Sequence, residues 1–417
     1  MNQSICAIEI ASTAIRIVVA ECEANSLQRI LAFSEVEGPF LVNGKINEIN
    51  ALTKILQEMK TDIERTLGTG LIGAYVNISG DELKSLNETN QVNILHKDKR
   101  IRRKDIHALI KLNQERALKN AGPSSYALIH SLQLSYQLDN GDVVADPEGK
   151  SSNLLVLNSQ HILVQKALLS DYEYIFQRIG LRFDGAIFNG LASAWAVVSA
   201  EEWQEGVCHL DMGASTIDLT CGFRNNIYYN ALLNLGGNEL TRRLAVQMTI
   251  FTDYMETIKV ENSAIQAKTI HKPQLALPFV GLDQKSFVSK DTFCMVIKSY
   301  CDELVQLLQQ LRKKGPSPLG PVKKIVLSGG GANIGGLKQY LANCLGLEVR
   351  LAERLIAIPP APDNMAEGLR SSKYATVLGM LYYVTEFKND SSLENPEKYN
   401  LKFVSKNFFK NFFKELF

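Results

Sequence analysis

His209-Leu210-Asp211-Met212-Gly213-Ala214-Ser215-Thr216 reads as a short strand, begun at Val207, that delivers Asp211 to a turn of small residues. With so little side chain in the way, the backbone N–H groups of such a turn can approach a phosphate. An acid at that place suits the water shell of a magnesium ion, which keeps much of its hydration when it bridges to phosphates. A second apolar run, Ile217 to Thr220, returns from the turn, so the unit has the form of a β-hairpin closed around an anion.

Two other segments complete the pattern. Ala7-Ile8-Glu9-Ile10-Ala11-Ser12-Thr13 repeats the design with Glu9 as the acid, Ser12 and Thr13 as hydroxyl donors and Ile15 to Val19 as the return run. In Ile325-Val326-Leu327-Ser328-Gly329-Gly330-Gly331 the glycine triplet 329–331 follows an apolar strand, Lys324 to Leu327, and precedes a helix expected from Gly336 to Cys344. Its flat glycine backbone suits packing against a base or ribose. Each segment alone serves equally well as a tight turn in an α/β protein. Their joint occurrence implies a nucleotide held between two duplicated halves.

A chain of 417 residues exceeds one ordinary core and implies two to four compact units. Its 46% hydrophobic and 21% charged content is that of a soluble globular protein. A net charge of +1 argues against a nucleic-acid partner, which calls for a strongly basic domain. No apolar run reaches the length that spans a bilayer, and Met1 to Ala7 lacks the basic and apolar regions of a secretion signal. The seven cysteines show no C-x-x-C spacing, which favours free thiols over disulfides or zinc, and the six histidines are scattered. His209 is expected as a packing residue.

The three segments, in this order, resemble the actin, Hsp70 and sugar-kinase ATPase superfamily, and most of the chain resembles the FtsA family of bacterial cell-division proteins. The resemblance is carried by Asn77-Ile78-Ser79-Gly80, Ile129-His130 through Gln137, Gly190-Leu191-Ala192-Ser193-Ala194, Leu235-Gly236-Gly237-Asn238-Glu239-Leu240-Thr241, Ile325 through Gly331, Tyr374-Ala375-Thr376 with Gly379, and the terminal Phe/Lys segment. It implies an α/β, two-lobed actin/Hsp70-like ATPase fold of duplicated ribonuclease-H-like domains, with an FtsA-type 1C subdomain and a C-terminal amphipathic helix.

Projected on the chain, residues 1–80 and 166–200 form subdomain 1A and 81–165 form subdomain 1C. Residues 201–245 and 320–384 form subdomain 2A, 246–319 form 2B, 385–400 a linker and 401–417 a membrane-targeting helix. Local patterns place helices at Ile49 to Leu67, Lys104 to Asn120, Lys166 to Gly180, Leu191 to Ala200 and Asp291 to Lys313, the last with Val296, Tyr300, Leu304, Leu307 and Leu311 on one side. Strands are expected at Gly73 to Ile78 and Phe183 to Phe188, a hairpin at Tyr136 to Val144 around Asn140-Gly141, and irregular chain over 270–290. The charged run His96 to Lys104 reads as a solvated face.

The implied nucleotide site takes in Glu9, Ser12, Thr13, Asp211, Gly213, Ala214, Ser215, Thr216 and Gly329, Gly330 and Gly331, with Glu9 and Asp211 holding magnesium through water. Gly236, Gly237 and Glu239 open a helix whose unpaired N–H groups favour anions. Glu256 and Lys259, at i, i+3 on one helical face, match positions that flank adenine and ribose. A surface ion pair explains that spacing equally well.

Several departures bear on catalysis. Ala11 replaces the usual glycine of the first phosphate loop, and Ala14 stands at its lysine position, so one phosphate-neutralising charge is missing. Ala214-Ser215 occupies the place of two glycines, and Ser263 that of a glycine near the adenine. Asn189 stands where relatives orient the attacking water, and an amide is a poor base. Asn189 and Asp211 are the weak candidates for catalytic roles, and ATP binding with weak or no hydrolysis is expected.

Leu401, Val404, Phe408, Phe409, Phe412, Phe413, Leu416 and Phe417 share one helical stripe, opposite Asn407, Lys410, Asn411, Lys414 and Glu415, with Lys402 and Lys406 at the border. Aromatics with an excess of lysine suit an anionic bilayer interface. The family resemblance implies ATP and Mg2+ as cofactors, self-assembly into filaments and a location on the cytoplasmic face of the inner membrane at the division septum. It also implies docking of the FtsZ C-terminal peptide on subdomain 2B and of other division proteins through 1C. A pilus-assembly adaptor of the PilM type and a superfamily small-molecule kinase are the alternatives. The first lacks the terminal anchor, and the second needs a base beside the γ-phosphate, for which Asp218 on the return strand is the one spare aspartate.

Overall fold

A computed structural model describes residues 3–23, 26–42, 44–224, 226–266, 270, 275–277, 286–313, 318–352, 360–361, 368–387 and 401–403. Two five-stranded sheets organise it, and they have the same topology. In the first, the antiparallel strands Gln3–Ile10, Ala14–Glu23 and Ser26–Glu37 are extended by Gly73–Ile78 and Arg182–Phe188, both parallel to the strands they join. In the second, Val207–Met212, Ile217–Phe223 and Asn226–Leu233 play the antiparallel part, and Lys324–Ser328 and Glu348–Leu351 the parallel one. The strands are apolar on both faces because helices cover both sides. Val18, Val19 and Ala20, for instance, are all fully buried.

Each sheet has its own core. The first holds Ile8, Ile17, Leu56, Phe176 and Leu191; the second holds Leu210, Leu219, Phe293, Tyr300 and Leu327. Helix Ala375–Phe387 falls in the first core, although its sequence position joins it to the second half. Gly379 makes this possible, since a Cβ there would collide with the carbonyl of Ala192 on helix Asn189–Val197. Between Gly73–Ile78 and Lys166–Arg178 the chain builds a separate layer. Strands Leu83–Asn93, Leu154–Gln165 and Tyr126–Leu138 pair antiparallel, with helix Arg103–Ala121 packed on them. The hairpin at Tyr136 and Gln137 pairs with Val144 and Val143 as expected.

Four local expectations differ. The single helix Leu191 to Ala200 is two helices, Asn189–Val197 and Ala200–Glu205. Ser199 and Glu202 form a capping box that starts the second one, which a continuous helix cannot accommodate. The 270–290 interval contains a short antiparallel pair, Leu275–Leu277 with Ser286–Val288. Helix Lys290–Lys313 buries Phe293, Ile297, Tyr300, Cys301, Leu304 and Leu308, while Val296, Leu307 and Leu311 are only partly covered, so its apolar stripe is rotated from the expected one. Leu401–Phe403 is a strand parallel to Tyr126–Leu138, not the start of the terminal helix; it supplies backbone partners to what would otherwise be a sheet edge. Residues 404–417 and most of the 385–400 linker lie outside the described residues.

Candidate functional site

The two hairpins face each other across a cavity of about 560 Å³. The first turn closes with Ala11 N–H donating to Ala14 O at 2.9 Å, the second with Gly213 N–H donating to Thr216 O at 2.9 Å. The lobes touch through hydroxyls: Ser12 Oγ lies 2.8 Å from Ser215 Oγ, and Ser79 Oγ 3.0 Å from Thr216 Oγ1. Ser79 also donates to the Asp218 carboxylate at 2.8 Å. Asn77 accepts from Ile10 N–H and donates to the Asn189 side chain at 2.8 Å, which fixes the amide of Asn189.

Of the residues the sequence singles out, Glu9, Ser12, Thr13, Asn189, Asp211, Gly213 to Thr216, Gly237, Glu256, Lys259 and Gly329 to Gly331 line this cavity. Gly329 has φ +79°, and a Cβ there would sit 2.5 Å from Met212 O, so the close approach of the third segment to the second turn requires glycine. Lys259 pairs with Glu256 at 2.7 Å and donates to Gly237 O and Thr241 Oγ1. Ser263 donates back to Lys259 O.

Two expected residues stand elsewhere. Gly236 packs beneath the Ala214–Ser215 turn, where any Cβ would clash, and is not part of the lining. Glu239 turns outward to Arg242 and Arg243, whose hydrogen bonds hold its carboxyl down to about 2. The helix N-terminus is also less free than expected, because Gly237 N–H and Asn238 N–H donate to Gly213 O and Ala214 O. Those bonds lock the helix to the turn. The tail residues Lys406, Phe408, Phe409, Lys410, Phe412, Phe413, Leu416 and Phe417 lie outside the described residues.

The structure adds Arg16, which sequence reasoning passed over, and brings to the cavity Asn77, Ser79 and Thr376, which the sequence marked only as family stretches, and Asp218, marked only as a spare aspartate. Strand register is the signal that finds two of them: Arg16 is the cross-strand partner of Glu9, and Asp218 that of Asp211. Burial pushes the Asp218 carboxyl up to about 8, with Asp211 adding to the effect and Ser79, Thr216 and Asn189 opposing it. Burial also raises Asp211, against hydrogen bonds from Ser193, Ser328 and Thr376. Glu9 is raised by burial too, and Arg16 counteracts it from 3.0 Å.

The acids fit a hydrated cation better than a chelated one. Among the described residues no group of three or more His, Cys, Asp or Glu is placed to hold a metal directly. Glu9 Oε2 is nevertheless buried without a hydrogen-bond partner among the described residues. A carboxylate oxygen left so, beside Asp211, matches the outer shell of a magnesium ion whose inner shell is water and phosphate.

Comparison with known proteins agrees with this architecture. The family model "Cell division protein FtsA" matches residues 208–379, and the model "SHS2 domain inserted in FTSA" matches residues 80–163. The chain is 25% identical to the cell division protein FtsA of Pseudomonas aeruginosa over 391 residues, covering 93% of this chain and 91% of that protein. It is 22% identical to FtsA of Escherichia coli K12, covering 91% and 90%. Among solved structures it superposes on the PilM–PilN type IV pilus biogenesis complex with a TM-score of 0.63 at 17% identity, covering 92% of this chain and 98% of that one. It superposes on MreB5 of Spiroplasma citri bound to ADP with a TM-score of 0.52 at 13% identity, covering 93% and 99%. These likenesses establish the two-lobed actin-like ATPase fold. Both family models are FtsA models and together take in more than half of the sequence, so the chain belongs to the FtsA family of cell division proteins, as a divergent member.

Proposed function

We propose that this chain binds ATP with magnesium between its two lobes, polymerises on the cytoplasmic face of the inner membrane and tethers the FtsZ ring at the division septum. The cavity between the two phosphate turns carries the reading. It is closed by small residues, rimmed by hydroxyls and glycines, and flanked by two acids suited to a hydrated cation. Glu9 and Asp211 would hold magnesium through water, and the ion would neutralise phosphate charge there. The turns at Ser12 and Ser215 would take the phosphates, Gly329 to Gly331 the base and ribose, and Glu256 with Lys259 the far side of the nucleoside. Solved relatives of the same fold include one bound to ADP, which supports nucleotide in this cleft.

The terminal aromatic and lysine-rich segment supports the membrane role; among the described residues no helix is long and apolar enough to cross a bilayer. The FtsZ C-terminal peptide docks on the 246–319 segment, and other division proteins use the inserted 81–165 layer. A pilus adaptor of the PilM type shares the lobes, but the terminal segment and both family models favour the division role. Thermal melting of the full chain with millimolar ATP and magnesium tests the core of the reading. A rise in melting temperature is expected; an unchanged curve removes the nucleotide.

A further inference from the structure

The cavity is lined by four carboxylates, Glu9, Asp211, Asp218 and Glu256, and three cations, Arg16, Lys259 and Lys373. A polyphosphate entering there meets acids unless each cation is well placed. Lys259 is engaged with Glu256, and Lys373 with Glu35 and Glu37. Arg16 alone pairs with Glu9 among the described residues. It does so from strand Ala14–Glu23, two positions beyond Ala14, where the expected cation of the turn is missing.

Its setting is built rather than incidental. Glu9, Arg16 and Glu35 are cross-strand neighbours on three adjacent strands. The guanidinium donates from Nη1 to Glu9 Oε1 at 3.0 Å and from Nε to Glu35 Oε1 at 2.8 Å, with its centre 5.5 Å from the Tyr374 ring. Glu35 has further partners in Lys373 and the Tyr374 hydroxyl, whereas Glu9 has Arg16. A rigid fork holds two carboxylates at once with fixed donor directions, which the freely rotating ammonium of a lysine does not impose. Arg16 thus takes one oxygen of Glu9 and leaves Oε2 unpartnered.

We infer that Arg16 is the positioning residue of the first phosphate turn: it clamps Glu9 by Oε1 so that Oε2 is held ready for the water shell of an ATP-bound magnesium ion. This rests on the nucleotide reading above. It also explains how a turn without its lysine tolerates Glu9, since Arg16 and Lys373 together balance Glu9 and Glu35.

Calorimetric titration of the full chain with ATP, once in magnesium and once in EDTA, gives the factor by which magnesium tightens binding. Arg16→Gln should cut that factor roughly tenfold, in line with loss of a charge-assisted contact. Glu9→Gln should cut it similarly, and the double variant should lose no more than Glu9→Gln alone, because one residue acts through the other. Arg16→Lys should keep part of the gain. A wild-type gain that survives Arg16→Gln overturns the inference, as does a double variant in which the two losses add. Should Arg16→Gln fail to fold with Glu9 left unpaired, the double variant, neutral at both positions, carries the comparison with Glu9→Gln. Wild type that binds no ATP removes the nucleotide reading and this inference together, whereas wild type that binds ATP but gains nothing from magnesium overturns this inference and leaves the nucleotide in place.

Discussion

Ser12 Oγ lies 2.8 Å from Ser215 Oγ, so the two phosphate turns, 203 residues apart in sequence, meet hydroxyl to hydroxyl across the cleft. A phosphate chain bound between the lobes must part these two side chains. Replacing both by cysteine therefore offers a lock. The Ser12→Cys, Ser215→Cys protein should crosslink on mild oxidation, lose the stabilisation that ATP gives, and regain it with a thiol reductant. Equal ATP binding by the crosslinked and reduced forms, read by thermal shift, would put the nucleotide elsewhere.

Hydrolysis should be slow. Ala11 and Ala14 leave the first turn without its glycine and lysine, and the Asn189 amide is held by Asn77 and carries no charge to accept a proton. A phosphate-release assay should give a rate well below ~1 per second. A faster rate would revive the small-molecule kinase, with Asp218 as the base to replace first.

Acid should act on this fold through three histidines that are buried and neutral. His130 Nε2 accepts from Phe188 N–H, so Nδ1 carries the proton and donates to Tyr383; a second proton has nowhere to go. Burial lowers His130 and His209 to about 3 and His161 to about 4, against an ordinary 6.5. For these three groups the unfolded chain binds more protons between those values and 6.5, so their contribution is complete above about pH 6.5 and falls as pH drops toward 4, each with a limiting slope on the order of 1.4 kcal/mol per pH unit. The Asp218 carboxyl, raised to about 8, acts with the opposite sign, as do the raised Asp211 and Glu9, so they offset part of that slope. His130→Gln should flatten the melting temperature against pH by about one proton; an unaltered slope would contradict the assignment.

Gly379 sets the distance between helix Ala375–Phe387 and helix Asn189–Val197. Gly379→Ala should cost roughly 3 kcal/mol by overpacking, a fall of about 6–12 °C in melting temperature. Gly368→Ala, where the added methyl group meets nothing within 4 Å among the described residues, is the control and should change little.

Membrane binding should reside in the end of the chain. Removal of 404–417, which spares the strand Leu401–Phe403, should abolish sedimentation with anionic liposomes while ATP binding persists. Phe412→Glu with Phe413→Glu should do nearly the same by placing charge in the apolar stripe. A single amphipathic segment would bind reversibly, and polymerisation would strengthen it through neighbouring tethers. Full pelleting of the truncated protein would move the anchor elsewhere.

Local chemistry made much of this protein legible in one dimension. Helix Ile49–Leu67 and strand Gly73–Ile78 stand where periodicity puts them, and the acid-then-small-turn segments at Glu9 and Asp211 form paired hairpins. Hydrophobic period and turn composition act over a few residues, so sequence determines them. Tertiary structure decided what lies across strands and between lobes. Hairpin register made Arg16 the partner of Glu9 and set Asp218 opposite Asp211, but the packing of the lobes decided that both pairs line one cavity. Glu239, in the first turn of the expected helix, faces outward to two arginines. Helix Ala375–Phe387 crossed to the first core because a single glycine admits it. Contacts between distant residues depend on how whole layers pack, and only the folded chain fixes that.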